Sequence, residues 1–375
     1  MFGRRLHIFT SLGIKIGIDL SWIFIAVLLS WSLAAGHFPY YYPNLSSEIY
    51  WLMGISGMVG LFACILLHEM GHAVVAKHFN LPVTHITLFI FGGVAEIKKD
   101  PPNPKVEFLV SIAGPIVSVI LAFLMYALTL FGEEYGWPVE VVGITSYLAM
   151  INAILVLFNM IPAFPLDGGR VLRALLWWWK DNLGWATNVA ASLGIGFGFV
   201  LLVLGFLSLV SENFITGVWL IIIGLFLQGA AASYRTQYYV GKGLRDQKVA
   251  KFMTANPISV PPDITIKTFV EKYVYDSFHH LYPVTDNGKL IGTVSTKEIK
   301  SLPHASWEET LVEQVMVPES NFRTVTPDTS AIDALTIMNQ TDSPTLMVLE
   351  GCHLVGIVTS HNLFKIVSLK LELDE

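Results

Sequence analysis

A short polar motif, His68-Glu69-Met70-Gly71-His72, stands out because its residue types and spacing could hold and use a metal ion. Residues four apart lie on one face of a helix, so both imidazoles can reach one cation while Glu69 exchanges a proton with nearby water. The pattern also recurs by chance on soluble helices. Here it lies in an apolar run, where one ionisable side chain costs roughly 2.5–3.5 kcal/mol. A divalent cation that partners these groups is therefore favoured over a hydrogen-bonded cluster between helices.

A second polar segment, residues 159–170 with the sequence Asn-Met-Ile-Pro-Ala-Phe-Pro-Leu-Asp-Gly-Gly-Arg, supplies the candidate third ligand. Catalytic zinc usually has three protein ligands and one open position. The prolines break the helix and the glycines free the backbone, so Asp167 is expected on irregular chain at the end of an apolar span. Lys77 follows His72 by only one turn and a half, about 7.5 Å of helix rise, so the histidine pair lies near the same end. The depths of His68, His72 and Asp167 therefore match.

Other polar side chains near the motif have simpler explanations. Cys64 shares the helical face of the histidine pair and thiolate binds zinc, but it lies one turn deeper, and a free cysteine is commonly a small buried hydrophobe. His78 and His85 fall off that face or in a loop, which is typical of interfacial side chains. Asn152 shares a helix face with Asn159, and packing between helices explains it as well as catalysis does.

The composition places these motifs in a membrane protein. The chain of 375 residues is 53% hydrophobic and 14% charged, outside the usual balance of soluble domains. Residues 1–234 hold 22 charged side chains, whereas residues 235–375 hold 30. Six stretches approach the length of about 20 apolar residues that a spanning helix needs: 18–36, 51–77, 107–131, 139–164, 186–210 and 214–232. The first has features of a cleavable signal, but the topology is consistent with its retention as a span.

Lysine and arginine alternate between the connecting segments and predict an orientation. Basic residues occur in the amino terminus, in 77–106, in 165–185 and after 234, whereas 37–50, 132–138 and 211–213 carry none. Because cytoplasmic loops hold the excess of Lys and Arg, both termini are expected in the cytoplasm of a prokaryotic plasma-membrane protein. Two cysteines, Cys64 and Cys352, make no disulfide framework, which suits a cytosolic second part. The net charge of −6 gives no basic face for direct nucleic-acid binding.

Residues 87–97, Thr-Leu-Phe-Ile-Phe-Gly-Gly-Val-Ala-Glu-Ile, are too few to cross a membrane. They are rich in β formers and are interrupted by Gly92-Gly93, so a hairpin or re-entrant element on the cytoplasmic side is predicted. Such an element could pair edge to edge with an unwound substrate strand.

The paired motifs, their order and the span count resemble the site-2 protease family of intramembrane zinc metalloproteases over roughly residues 1–235. That family joins H-E-x-x-H in one span to an N-x-x-P-x-x-P-x-D-G-G type motif in a later one, and this sequence has both, at 68–72 and 159–169. The resemblance implies that one zinc ion is bound by His68, His72 and Asp167. It also implies that Glu69 is the general base and that Asn159 positions the substrate or stabilises the transition state.

Residues 249–370 contain an internal repeat with an offset of 64 or 65. The segment from Ser259 recurs from Thr324, and the segment from Leu290 recurs from Leu354. The repeat resembles a tandem pair of cystathionine-beta-synthase-type (CBS) domains, each with the order strand, helix, strand, strand, helix. The resemblance implies a dimer and an adenine nucleotide (ATP or AMP), with a hydroxyl on phosphate and an acid three residues later on ribose.

The positions that match such a nucleotide site are Ser295 with Glu298 and Thr359 with Asn362. The usual aspartate is absent from both pairs. Helix N-capping by Ser295 and Thr359 explains these residues equally well.

These features predict a polytopic α-helical membrane domain with six transmembrane helices, followed by an α/β soluble tandem CBS domain pair. The expected parts are a membrane metalloprotease domain at 1–235, a linker at 236–248, and CBS domains at 249–305 and 306–375. We expect an intramembrane zinc metalloendopeptidase, embedded in the lipid bilayer, that cuts a membrane-anchored regulatory protein such as a transcription-factor precursor or its anchor. The CBS pair would modulate cleavage by binding nucleotide or substrate.

A different class is a CBS-regulated metal-ion transporter or channel, in which the same three ligands form a cation site at membrane depth. Glu69 beside the first ligand and the lack of an apparent inverted repeat among the spans argue against it. An inactive scaffold is disfavoured because every motif position is occupied.

Overall fold

The computed structural model describes residues 6–89, 92–97, 101–211, 213–277, 279–318, 323–341 and 343–365. The chain divides into two compact units, Met1–Arg235 and Thr236–Glu375. The membrane motifs fall in the first unit and the internal repeat in the second.

Among the described residues, six helices are long and apolar enough to cross a membrane. In chain order the helices of this region are α1 (Ser21–Tyr41), α2 (Ser47–His78), α3 (Pro104–Glu134), α4 (Val139–Asn159), α5 (Asp167–Lys180), α6 (Leu183–Val210) and α7 (Phe214–Leu244), of which α5 is too short to span. The six predicted transmembrane helices are confirmed, although their ends differ. Helix α4 ends at Asn159 rather than at residue 164, because Pro162 and Pro165 cannot continue a helix.

Side-chain caps determine where two of these helices begin. Asn103 precedes α3, its side-chain oxygen accepts a hydrogen bond from the Val106 backbone N–H at 2.9 Å, and Pro104 takes the first helical position. Asn182 caps α6 in the same way, at 3.0 Å from the Trp185 nitrogen. Each cap satisfies a backbone N–H that has no partner within its helix.

A four-stranded sheet with the order β1-β2-β3-β4 accompanies the helices. Its strands are β1 (Leu6–Ser11), β2 (Ile14–Ile18), β3 (Val83–Phe89) and β4 (Gly92–Ile97). Strands β3 and β4 pair antiparallel, so a hairpin does form in the segment expected to contain one, with its first strand beginning at Val83. The sequence analysis did not anticipate β1 and β2.

The apolar face of this sheet packs on the helix that carries the histidine pair. Ile14, Ile16 and Ile86 are at most 1% exposed and cluster with Ala73 and Ala76 of α2. Side chains alternate between the two faces of a strand. The residues that alternate with these isoleucines along β2 and β3 therefore lie on the opposite face. The sheet is thereby anchored beside the candidate metal ligands.

The second unit contains a sheet with the order β6-β7-β11-β10-β9, with β5 on β11 and β8 on β7. Its elements are β5 (Thr254–Ala255), α8 (Ile266–Phe269), β6 (Leu281–Asp286), β7 (Lys289–Ser295), α9 (Thr296–Lys300), β8 (Val317–Pro318), β9 (Thr324–Val325), α10 (Ala331–Thr341), β10 (Thr345–Glu350) and β11 (His353–Thr359). Both repeats follow the order strand, helix, strand, strand, helix. The first strand of the first repeat is reduced to one bridge between Val260 and Val284. The α/β class predicted for this region is confirmed.

Helix α7 continues through Leu244. Most of the segment expected to be a linker, 236–248, is therefore helical. Its end packs within the second unit, where Val240 and Leu244 join the apolar cluster of the second repeat.

Candidate metal centre

Three side chains from two distant segments meet in the first unit. His68 and His72 on α2 are 5% and 4% exposed, and their Nε2 atoms lie 3.2 Å apart. The Asp167 Oδ2 atom lies 3.0 Å from His68 Nε2 and 3.2 Å from His72 Nε2. Ligand atoms of a tetrahedral zinc site, each at about 2.0–2.1 Å from the metal, lie about 3.3 Å from one another. The separations observed here fit a zinc ion bound by these three residues.

Hydrogen bonds at Nδ1 orient both imidazoles so that Nε2 points at the shared centre. When Nε2 is the metal-binding nitrogen, Nδ1–H of His72 donates to the Val110 carbonyl at 2.6 Å, and Nδ1–H of His68 donates to Ser118 Oγ at 2.9 Å. Such outer partners fix the tautomer and ring orientation of metal-binding histidines. Both partners belong to α3, so this helix orients the ligand pair of α2.

Helix α3 also leaves room for the ligands through a glycine. A Cβ at Gly114 would lie 2.2 Å from His72 Nε2 and 2.6 Å from His68 Nε2, far inside van der Waals contact. The sequence analysis missed Val110, Gly114 and Ser118. The signal was present as Ser111, Gly114 and Ser118, small residues at helical spacing on one face of α3.

The prediction that Asp167 lies on irregular chain was wrong, because Asp167 is the first residue of α5. The prolines end α4, and the chain runs without regular helix only from Met160 to Leu166. A carboxylate in the first turn is favoured by the positive end of the helix dipole. The glycines instead allow close packing, since a Cβ at Gly168 would lie 2.4 Å from the Met160 carbonyl oxygen.

A buried ion pair joins α5 to α3 beside the site. Arg173 is 2% exposed, Glu107 is fully buried, and the guanidinium contacts the Glu107 carboxylate through both Nε and an Nη atom. The guanidinium also lies 5.4 Å from the ring centre of Phe164 and 5.1 Å from that of Tyr234, and these rings stack. Glu107 stands one turn before Val110, and Phe164 belongs to the loop that leads to Asp167.

Neither of the two predicted catalytic residues belongs to the triad. Glu69 follows His68 on α2, and β4 passes beside it, since a Cβ at Gly93 would lie 2.6 Å from Glu69 Cγ. Asn159 is the last residue of α4 and is partly buried at the start of the loop that leads to Asp167. The structure therefore places the hairpin next to Glu69.

Among the described residues, one group of three His, Cys, Asp or Glu side chains converges. The alternative ligands considered from the sequence are not part of it. Cys64 is buried in an apolar cluster with Tyr147 and Leu148. Asn152 is buried and donates its side-chain amide to the Leu148 carbonyl at 2.7 Å, a contact within its own helix.

The four positions matched to a nucleotide site make contacts among themselves. Ser295 caps α9, its backbone N–H donates to Glu298 Oε2 at 2.8 Å, and its hydroxyl contacts the same oxygen. Thr359 donates its hydroxyl to Asn362 Oδ1 at 2.8 Å and accepts from the Asn362 backbone N–H at 3.1 Å. The N-capping interpretation of both hydroxyls therefore has direct geometric support, and nucleotide binding stays a prediction.

Comparison with known proteins matches both units. The family model for peptidase family M50 matches residues 56–143 and 137–203, which include both motifs, and the CBS domain model matches 249–304 and 312–369. The chain is 30% identical over 375 residues to the zinc metalloprotease MJ0392 of Methanocaldococcus jannaschii, covering 99% of this chain and 98% of that protein. It is 32% identical to the protein Rip3 of Mycobacterium tuberculosis, over 95% of this chain and 91% of that protein. A solved structure of a site-2 protease from M. jannaschii is 30% identical, with a TM-score of 0.44 over 62% of this chain and 95% of that one.

Proposed function

This chain belongs to peptidase family M50, the site-2 proteases, and carries a tandem pair of CBS domains, and from that premise we propose which of its residues perform the reaction. It is a zinc metalloprotease whose apolar helices fit a multi-pass membrane protein. Its proposed substrate is a membrane-anchored regulatory protein, cut in or near its transmembrane segment. The convergence of His68, His72 and Asp167 in the membrane unit carries this proposal.

His68, His72 and Asp167 are the proposed zinc ligands. Their ligand atoms have tetrahedral spacing, and Val110 and Ser118 turn both imidazoles toward the shared centre. When bound, zinc lowers the pKa of its water ligand to about 7 and polarises the carbonyl of the scissile peptide bond. Two neutral imidazoles and one carboxylate would offset only one of the two positive charges of a bound zinc ion, and the remaining positive charge would favour a developing oxyanion.

Glu69 is the proposed general base. It takes a proton from the attacking water and passes that proton to the nitrogen of the leaving amine. Its place directly after the first ligand on α2 supports this role, because its carboxylate then stands beside the reacting water rather than in the ligand set. Asn159 is proposed to position the substrate carbonyl from the end of α4.

Strand β4 is proposed to hold the substrate as an added strand. It is an edge strand of the four-stranded sheet, pairs with β3 on one side, and runs beside Glu69 at Gly93. Main-chain hydrogen bonds to such an edge bind an extended peptide without regard to most of its side chains. A helical substrate segment would first unwind, and its extended backbone would then pass close to the general base.

The CBS pair and both termini are proposed to lie in the cytoplasm, on the evidence of the alternating basic loops. The pair is further proposed to modulate cleavage, by binding an adenine nucleotide near Ser295 and Thr359 or by docking substrate, and to associate in a dimer. Helix starts at both hydroxyls support the nucleotide proposal, since a helix N-terminus favours phosphate.

The experiment that tests the protease assignment is co-expression of the full-length chain with tagged single-span membrane-anchored regulators. We expect the wild type to generate a new terminus in or near the span of one of them. Glu69→Gln should retain zinc but lose cleavage by at least about 100-fold, because general acid–base catalysis contributes 10²–10⁴-fold. Zinc content is measured by elemental analysis of the purified protein.

The matched control is Glu133→Gln, which removes an exposed carboxylate near the end of α3. It should cleave like the wild type. Cleavage that survives Glu69→Gln would reject the general-base role. Metal uptake by reconstituted vesicles without cleavage of any peptide bond would instead support the transporter class.

A further inference from the structure

One face of the β1–β2–β3 sheet is polar. Its side chains are His7 and Thr10 on β1, Lys15 on β2, and His85 and Thr87 on β3, placed on one face by the pairs Thr10↔Lys15, Lys15↔His85, His7↔Gly17 and Gly17↔Thr87. Residues directly opposite on paired strands share a face. This face is the reverse of the isoleucine face that packs on α2.

The polar face contains a cavity of about 260 Å³. Its lining includes His7, Lys15, Gly17, His85 and Thr87. Gly17 leaves its floor without a side chain, and a Cβ there would lie 2.9 Å from the Leu6 carbonyl oxygen. The cavity therefore gathers an ammonium group, two imidazoles and a hydroxyl, which are donors that suit an anion with several oxygens.

The sheet runs beside α2, from the basic end of that helix at Lys77 toward its apolar middle. The turn between β1 and β2 is held at the end of α2, where Lys77 Nζ donates to the Leu12 carbonyl. At the other end of the sheet, Leu88 packs against Phe62, which precedes Lys77 by about 22 Å of helix rise. The residues that line the cavity lie between these two ends of the sheet.

The strand that borders the cavity also carries exposed apolar side chains. Leu6, Ile8, Phe9 and Leu12 are 49%, 52%, 45% and 65% exposed. Apolar side chains beside cationic ones are typical of elements that lie in a membrane interface. In the sequence, Arg4 and Arg5 directly precede this strand.

We propose that this cavity binds the phosphate group of an anionic phospholipid. Lys15 supplies the fixed positive charge, and His7, His85 and Thr87 donate hydrogen bonds to phosphate oxygens. Leu6 and Phe9 lie on the opposite face of β1, because they pair with Ile18 and Ile16, and they keep this strand in contact with the apolar region of the bilayer. Glu96 occupies the β4 position paired with His85, on the side of β3 away from Lys15. Lys15 carries the charge-based attraction, and His7 adds a hydrogen-bond donor. Basic residues near a membrane surface attract anionic lipids by about 1 kcal/mol per cation.

The test uses the purified, zinc-loaded, full-length protein in a neutral detergent. Short-chain phosphatidylglycerol, short-chain phosphatidylcholine and inorganic phosphate are titrated separately, and bound ligand is followed by native mass spectrometry. We expect the wild type to bind phosphatidylglycerol in preference to phosphatidylcholine. Lys15→Gln should weaken phosphatidylglycerol binding about fivefold, the equivalent of one interfacial cation, and Lys15→Gln combined with His7→Gln should weaken it further.

Lys180→Gln is the matched control, since Lys180 is an exposed lysine of the same unit at the end of α5. It should leave lipid binding unchanged. Lys15 is itself exposed, so the variant is expected to fold, which unchanged zinc content and thermal unfolding would verify. Equal binding of phosphatidylglycerol by the wild type and Lys15→Gln would overturn the proposal. Binding of inorganic phosphate without any lipid preference would assign the cavity to a soluble ligand and overturn it as well.

Discussion

At the scale of single residues, the proposed zinc ligands are oriented by side chains outside the ligand set. Ser118 supports His68 at 2.9 Å from Nδ1. Removal of such an outer partner typically costs 10–100-fold in metal affinity, so Ser118→Ala should weaken zinc binding by about that factor. The measurement is competition for zinc with a chelator of known affinity. Ser111→Ala is the control, because Ser111 is equally buried on the same helix but its hydroxyl makes no hydrogen bond to either imidazole. Equal losses in both variants would reject the orienting role of Ser118.

Gly114 affects the metal centre in a different way, because its lack of a side chain leaves room for both imidazoles. A Cβ there would overlap both Nε2 atoms, so Gly114→Ala should displace the imidazoles and lower zinc content and cleavage together. Gly196→Ala in α6 is the matched control, since a Cβ at Gly196 meets no atom within 4 Å. It should be neutral or slightly stabilising, as alanine favours helix over glycine by about 1 kcal/mol. Full zinc content in Gly114→Ala would show that α3 can move aside.

At the scale of elements, the helices that carry the two motifs are connected by an ion pair between residues that lie outside both motifs. The Arg173–Glu107 pair fixes α5, which begins with Asp167, to α3, which orients both histidines. Breaking a buried ion pair by removing one partner costs about 3–5 kcal/mol. Arg173→Met should therefore lower the thermal unfolding temperature sharply and release zinc at lower chelator concentration, and Arg173→Lys should rescue little because the paired contact through Nε and Nη is lost.

The double variant Glu107→Leu with Arg173→Met separates the two explanations of that loss. Replacing both charges with apolar groups removes the isolated buried charge and is often close to neutral. We expect the double variant to recover much of the stability that Arg173→Met loses. A double variant as unstable as the single one would show that the ion pair itself, rather than the avoidance of an unpaired Glu107, holds the two helices together.

The sequence revealed elements whose signals are local and missed those that depend on tertiary contact. The histidine spacing, the apolar runs and the Gly92-Gly93 break predict a face, a length and a turn, and the structure has a buried histidine pair, six long helices and a hairpin. The helical start at Asp167 was missed because the sequence analysis treated prolines and glycines alike as signs of irregular chain, although here only the prolines end a helix. Strand β2 pairs with β3 about 70 residues later, which no local pattern encodes, whereas the hairpin of β1 and β2 around Leu12-Gly13 is a local feature that the sequence analysis overlooked.

At the scale of the whole molecule, the chain combines two bodies of different character. The membrane unit exposes large apolar side chains such as Phe123, Leu157 and Ile215, at 71%, 74% and 75%, which is what a lipid environment permits. The second unit buries its apolar clusters around a sheet. The uneven distribution of charge along the sequence thus reflects two environments, lipid for the first unit and water for the second. Each unit is expected to unfold with its own transition.

A substitution at Asn362, in the CBS pair, tests whether the two units unfold independently. Its side-chain amide donates to the Phe252 carbonyl and to Thr254 Oγ1, both at 3.2 Å, and so connects the helix at 360–365, which follows β11, to the start of the repeat region. Asn362→Ala leaves a carbonyl without this donor, so it should destabilise the second unit by about 1–3 kcal/mol. Calorimetry of the full chain should show this as a lower temperature for the transition of the second unit. Asn339→Ala, at an exposed position on α10, should change nothing. Zinc retention should stay at the wild-type level in both variants, because the proposed ligands belong to the other unit. Zinc loss that follows the unfolding of the CBS pair would instead show that the second unit stabilises the metal centre.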